Sequence, residues 1–312
     1  MDLLIAENVN KSFSSHKALT DISLSIPEGI IFGLLGPNGA GKTTFIRIIN
    51  QIISPDSGQI ILNGKKLNAS HIEMIGYLPE ERGLYKRMKV GEQAIYLAML
   101  KGLSEKEART RIKNWFIKFD IINWWDKKVE ELSKGMQQKI QFIITILHHP
   151  KLLIFDEPFS GFDPINTNIL KQEILNLRAE GSTIIFSTHN MGSVEEICDR
   201  IALINNSKKI MEGSVNEIKN NFRSEIFEIE YQPFNKSLDE LLPKDFVLLS
   251  KKESSMGKII RVKIPNESAT NKLLEIMMNN SRIIRLQEII PTMNEIFIQA
   301  VNAENNKIDH NE

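Results

Sequence analysis

The chain has 312 residues and one cysteine, Cys198. That excludes an internal disulfide and a zinc cluster built on cysteine, and it suits a reducing compartment. Net charge is also missing. The 39 Lys and Arg balance 39 Asp and Glu, so the general basic field of a nucleic-acid or anionic-membrane binder is absent, although a local patch is not excluded. Long apolar runs are lacking too. Residues 140–147 come nearest and fall well short of the ~18 residues a bilayer crossing needs. Residues 1–7 carry no basic start and no long apolar core, so no signal peptide is expected. No internal repeat is evident. The expectation is a globular chain of about two domains that needs a partner for any role at a membrane.

What is present is concentrated in a few motifs. Gly36-Pro37-Asn38-Gly39-Ala40-Gly41-Lys42-Thr43-Thr44 fits G-x-x-x-x-G-K-[ST]. It follows the apolar residues 30–35 and precedes the helix-like residues 44–49, the strand–loop–helix setting such a loop needs. Gly36, Gly39 and Gly41 permit backbone angles that turn several N–H groups inward as an anion nest. The N-terminus of the following helix adds partial positive charge. In this pattern Lys42 reaches the β- and γ-phosphates of a nucleoside triphosphate, and the Thr43 hydroxyl ligates Mg²⁺.

The rest of the chain reads in sections. Residues 1 to about 65 give short strands and turns, with 3–5 and 22–26 alternating at period two. From Val90 to about Lys128 the pattern is helical and amphipathic. Trp115, Phe116, Phe119, Trp124 and Trp125 fall there, as the core of a small helical subdomain or as a docking surface. Residues 152–155 and 183–186 read as buried parallel strands separated by a helix over about 168–180, and 200–204 as a third strand. Beyond about Asn220, residues 227–231 and 260–264 alternate as half-exposed strands and 271–278 read as a helix, a small α+β appendage. Residues 302–312 are polar and are expected to be disordered.

A phosphate loop needs an acidic partner for its metal on a neighbouring strand. The segment Leu152-Leu153-Ile154-Phe155-Asp156-Glu157-Pro158 delivers two carboxylates at a strand's carboxyl end, where α/β sheets bind ligands. Asp156 is assigned to Mg²⁺, directly or through water, and Glu157 to polarising the attacking water. With these motifs at this spacing, Leu132-Ser133-Lys134-Gly135-Met136-Gln137-Gln138-Lys139 resembles the signature motif of ATP-binding-cassette ATPases. The resemblance covers about residues 3–215.

That resemblance implies an α/β fold: a P-loop NTPase cassette with a mixed sheet core, an antiparallel β part and a helical subdomain, plus the small α+β C-terminal domain. The boundaries expected are 1–219 for the cassette, about 85–150 for its helical subdomain, and 220–301 for the accessory domain. Ser133 reads as an N-cap. In the family, the serine and glycine that correspond to Ser133 and Gly135 face the γ-phosphate held by a second subunit, so each ATP lies between two chains. Phe13 falls where an aromatic stacks on adenine, with packing as its alternative. Ser160-Gly161-Phe162-Asp163 resembles the loop by which subunits sense each other, and His189 matches the switch histidine at the γ-phosphate. His16, His71, His148, His149 and His310 match nothing and read as solvated or packing residues.

Three positions depart from the family. Lys134 and Met136 stand where glycine and glutamine are common, and Glu80 stands where glutamine usually links Mg²⁺ and water to the transporter contact. A carboxylate can still ligate Mg²⁺ but changes the local charge by one unit. Residues 77–85 also resemble one branch of cassette proteins that includes the bacterial sodium-exporter ATPase subunit. Residues 291–297 fit the C-terminal domain of such subunits. The implied protein is an ATPase using ATP and Mg²⁺, in a homodimer or with a closely related cassette. It drives a separate transmembrane permease from the cytoplasmic face of the membrane, in sodium or drug efflux, with no nucleic acid as partner. Two other classes stay open: a soluble cassette ATPase of translation or DNA repair, and a nucleotide-binding regulator without turnover.

Overall fold

The structure is a computed structural model. It describes residues 1–309 apart from Ser15 and Arg82, and only the backbone of Asp239 and of residues 307–309. The chain divides into two compact units, Met1–Val215 with Ala300–Glu312, and Asn216–Gln299.

The first unit opens with long antiparallel strands. β1 (Asp2–Phe13) and β2 (His16–Pro27) form a hairpin, and β1 also pairs with β4 (Ser57–Leu62), which carries the short β5 (Lys65–Lys66). The sheet order is β2-β1-β4-β5. The alternation read at residues 3–5 thus belongs to a strand of 12 residues, whose polar outer half hides its length from a hydrophobicity pattern.

A second sheet has the order β10-β9-β3-β8-β7-β6. Its strands are β3 (Ile31–Leu35), β6 (Ile75–Leu78), β7 (Leu152–Asp156), β8 (Thr183–Ser187), β9 (Arg200–Asn205) and β10 (Lys208–Ser214). All pair in parallel except β10, which runs antiparallel to β9. Every residue of β3, β7 and β8 is buried, which is why these strands read as unbroken apolar runs rather than alternating ones. Side chains from both sheets and from α1 (Lys42–Ile49), among them Phe32, Phe45, Ile60 and Ile204, form one core. The carboxyl ends of β3, β7 and β8 lead directly into the phosphate loop, Asp156–Glu157 and His189.

Between β6 and β7 lie three helices, α2 (Val90–Leu100), α3 (Glu105–Lys118) and α4 (Lys134–Ile146). The single helical span expected to Lys128 is broken after Leu100 by Gly102 at φ +88°, and α3 restarts on a Ser104–Glu107 capping box. Phe116 is fully buried and meets Trp125 edge-on at 5.7 Å, while Trp115, Trp124 and Trp125 are half-buried. The aromatic cluster is therefore partly core and partly surface. α5 (Pro164–Ala179) begins four residues before the expected helix because Asp163 caps it and Pro164 occupies its first turn. α6 (Met191–Ile197) follows β8, and α7 (Val215–Asn221) follows β10.

The second unit is an antiparallel sheet of order β12-β13-β11-β14, from β11 (Ile226–Pro233), β12 (Val247–Ser254), β13 (Gly257–Lys263) and β14 (Ser281–Glu288), with α8 (Thr270–Asn280). Ile229, Tyr231, Ile260, Val262, Leu273 and Met277 form its own core. The Tyr231 hydroxyl is satisfied inside it by Ser237 Oγ at 2.9 Å and by the Leu238 N–H at 3.1 Å. The final helix α9 runs Met293–Asp309. The disorder expected from residue 302 is thus corrected to helix as far as Asp309, since Ala, Glu, Asn and Lys continue a helix already started by buried Met293 and Ile296. The boundaries also shift: the first unit ends at Val215 rather than 219, and residues from Ala300 group with it.

Candidate nucleotide site

A cleft of about 320 Å³ opens at the carboxyl ends of the parallel strands. Its walls are Phe13, His16 and Ala18 from the β1–β2 hairpin, Asn38 to Thr44 of the loop and α1, and Glu80, Asp156, Glu157 and His189. Gly36, Gly39 and Gly41 have φ of +151°, +80° and +114°. Space forbids side chains at two of them. A Cβ on Gly36 would lie 2.2 Å from Ile204 O, and one on Gly41 2.4 Å from Ala18 O. Gly41 caps α1 without a side-chain acceptor, so the first-turn N–H groups are left for a ligand anion.

Lys42 is buried, and its Nζ donates to Gly36 O at 2.7 Å and Pro37 O at 3.0 Å. Burial holds its pKa below the usual lysine range, opposed by the negative charges of Glu157, Asp156 and Glu80. Asp156 is pushed the other way. Burial raises its pKa, and Glu80 and Glu157 add to the rise against the pull of the Ser187 hydroxyl and of Lys42. Tyr77 is driven up to about 12 by burial and by Asp156. One ammonium and a ring of N–H groups suit a polyphosphate, and the Thr43 hydroxyl with the Asp156 and Glu80 carboxylates forms a hard-oxygen donor set that suits Mg²⁺.

Glu157 is held from three directions. Its Oε1 accepts from the His189 N–H at 2.9 Å and from His189 Nδ1 at 2.7 Å, and its Oε2 accepts from Thr188 Oγ1 at 3.1 Å. The residue sits at φ +49°, a left-handed conformation that costs a non-glycine residue energy, anchored by its N–H donating to Ser187 O at 2.9 Å. With Nδ1 turned to that carboxylate, the other face of the His189 ring is open, and its side chain is 76% exposed. A fixed carboxylate with an exposed imidazole behind it can hold a water and take its proton.

Ser133, Gly135 and Asp163 lie in a different hollow of about 260 Å³. Ser133 Oγ accepts from the Met136 N–H at 3.3 Å and starts α4 as expected. Asp163 accepts from the Asn166 N–H at 3.0 Å and from Asn166 Nδ2 at 2.5 Å, bonds that hold its carboxyl below the usual range. A Cβ on Gly135 would stand 3.3 Å from Gly161 O, so the signature glycine also lets this loop pack close. The chain thus carries two separate hollows, one built around the phosphate loop and one around the start of α4.

Phe13 is half exposed on the cleft wall, with Lys11 Nζ 5.5 Å from its ring centroid. His16, which matches no motif and reads as a solvated or packing residue, lines the same wall because it pairs with Phe13 across the hairpin. No sequence period signals that pairing. His71 is buried against Asn68, and the His148 Nε2 lies 3.3 Å from Ile75 O. His310, like Arg82 in the run at 77–85, lies outside the described residues.

Sheet order, phosphate loop and strand-end carboxylates define a P-loop ATPase. Comparison narrows this further. Residues 19–160 match the family described as ABC transporter, and residues 213–301 match the C-terminal domain of DrrA1-3-like ATP-binding proteins. The uncharacterized ABC transporter ATP-binding protein YhaQ of Bacillus subtilis is 41% identical over 303 residues, covering 96% of this chain and 99% of that protein. The ABC transporter ATP-binding protein NatA of the same organism is 37% identical over 213 residues, 67% of this chain and 87% of its own. A solved ATP-binding subunit of an ABC transporter superposes with a TM-score of 0.66 at 30% identity, covering 70% of this chain and 93% of its own. The chain belongs to the ABC transporter family as an ATP-binding, ATP-hydrolysing subunit. Such subunits work with a separate membrane permease and generally dimerise. Among the described residues no helix is long and apolar enough to cross a membrane.

Proposed function

We propose that this subunit powers efflux, as one of a pair of cassettes bound to the cytoplasmic face of a membrane permease. The observation that carries the chemistry is the triple anchoring of Glu157 beside Lys42, Asp156 and Thr43. Lys42 neutralises phosphate charge. Thr43, Asp156 and Glu80 would hold Mg²⁺, which supplies further charge neutralisation at the phosphates when bound. Glu157 accepts the proton of the attacking water, and His189 keeps that carboxylate oriented. Phe13 offers a face to the base. The separate hollow at Ser133, Gly135 and Asp163 supports a sandwich in which each chain completes the site of the other.

The direction of transport rests on likeness. The C-terminal unit matches DrrA1-3-like proteins, and the relatives include a linearmycin resistance protein of Bacillus subtilis, 34% identical over 219 residues. Sodium or drug efflux fits these and the resemblance of residues 77–85. A groove of about 350 Å³ between α2 and the strand that leads into that run is lined by Ile72, Leu84, Leu97 and Leu100. Its apolar wall suits a permease segment.

Two measurements test the reading. Glu157→Gln keeps the shape and loses the base, so ATP binding should persist while hydrolysis falls by about 10²-fold or more; turnover at the wild-type rate would remove Glu157 from its role. The same variant, tagged and recovered from solubilised membranes with ATP, should bring down a multi-span protein. Recovery of ribosomes or nucleic acid instead would move the protein to a soluble class.

A further inference from the structure

The turn between β9 and β10 touches the phosphate loop from behind. Ile204 O occupies the space a Cβ on Gly36 would need, and the Ser207 N–H donates to Ala40 O at 3.2 Å. The same turn grips the hairpin that carries Phe13 and His16. The Thr20 N–H donates to Ser207 O at 2.7 Å, and Ser207 Oγ donates to Lys17 O at 2.5 Å. Asn206 and Ser207 both have left-handed backbone, φ +45° and +65°. For Ser207 that conformation is unfavourable and persists only when its surroundings fix it.

Part of that fixing comes from the far end of the chain. The side-chain oxygen of Asn305, in the last turns of α9, accepts from Asn205 Nδ2 and from Asn206 Nδ2, both at 3.1 Å. With Asn305 over it Asn205 is only 3% exposed, so this bond is made largely out of water and is worth more than one between two exposed groups. The links run without a gap from Asn305 through residues 205–207 to Ala40 and Gly36.

We propose that Asn305 is a positioning residue of the nucleotide site, bracing the turn at 205–207 so that the phosphate loop and the Phe13 wall are set before ATP arrives. The inference rests on the reading of the cleft as the ATP site. It assigns Asn305 no contact with ATP. It predicts an effect on binding and none on the chemical step, because Glu157 and His189 hang from β7 and β8 rather than from β9.

Two full-length variants test it through the affinity for a fluorescent ATP analogue and the kcat at saturating ATP. Asn305→Ala removes the acceptor and should weaken binding about three- to tenfold with kcat unchanged. Asn305→Asp keeps an acceptor for both amides and should bind like the wild type. The proposal is overturned if Asn305→Ala binds within twofold of wild type, if kcat falls while affinity holds, or if Asn305→Asp binds as poorly as Asn305→Ala. Lys42→Ala serves as the control: if it also binds normally, the cleft is not the ATP site and the fault lies there rather than in the brace.

Discussion

At His148 a single ring registers its surroundings. Burial, with the charge of Lys101 close by, lowers its pKa to about 4 from an ordinary 6.5. Nε2 faces Ile75 O at 3.3 Å, and Nδ1 is buried without a partner, so a second proton would have nowhere to bond. The unfolded chain therefore binds that proton more readily than the folded one. Stability is fully present above pH 6.5, falls as pH drops through 6.5, and levels off near 4. Because solvent reaches part of the ring, the loss should be about 1–2 kcal/mol rather than the full linkage value. Urea melts of wild type and His148→Gln, compared at pH 7.5 and 4.5, should show the difference shrinking in the variant. Equal pH dependence in the two proteins would remove His148 as the cause. From sequence this histidine reads only as solvated or packing, because burial and the neighbouring Lys101 arise from distant parts of the chain. Lys42, Asp156 and Glu157 were legible for the opposite reason: the phosphate loop and the strand-end carboxylates are local patterns whose chemistry requires those residue types.

Helix α4 starts at the second hollow, and its first turn decides what it can present there. Ser133 caps it through the Met136 N–H, and Gly135 admits the loop at Gly161 to 3.3 Å of where a Cβ would stand. Ser133→Ala should cost about 1 kcal/mol through the lost cap. Gly135→Ala asks that loop to yield by a few tenths of an ångström. Neither touches the cleft at Lys42, so both variants should still bind ATP. In a Glu157→Gln background with ATP, where the proposed sandwich predicts a dimer that persists, both should shift the protein toward monomer on size exclusion. Weakened ATP binding by the isolated chain would instead mean that the two hollows do not act separately. The capping role of Ser133 was readable from its place before an amphipathic run. The start of α5 at Pro164 was not, because its cap, Asp163, falls in a run that resembles an inter-subunit loop.

On the scale of the whole molecule, two cores share one chain. The buried cluster joining the cassette sheets ends at Ile204, and the cluster of the second unit starts at Phe227; they have no residue in common. The sequence changes texture near Asn220, within a few residues of the division at Val215 and Asn216. It could not announce that the chain from Ala300 returns to the first unit, because that return depends on a tertiary contact of Asn305 and not on any local pattern. Separate cores imply separable stabilities. Ile260 is fully buried in that core on β13, the strand between β11 and β12, so Ile260→Ala should destabilise the second unit by about 2–4 kcal/mol. Hydrogen exchange under native conditions can read this strand by strand. Amides of β11 and β13 should exchange faster in the variant, while those of β3, β7 and β8 keep their wild-type protection and the fluorescent ATP analogue binds at least as tightly as it does to Asn305→Ala. Loss of protection in β3, β7 and β8 to the same extent would mean that the two cores unfold as one cooperative body.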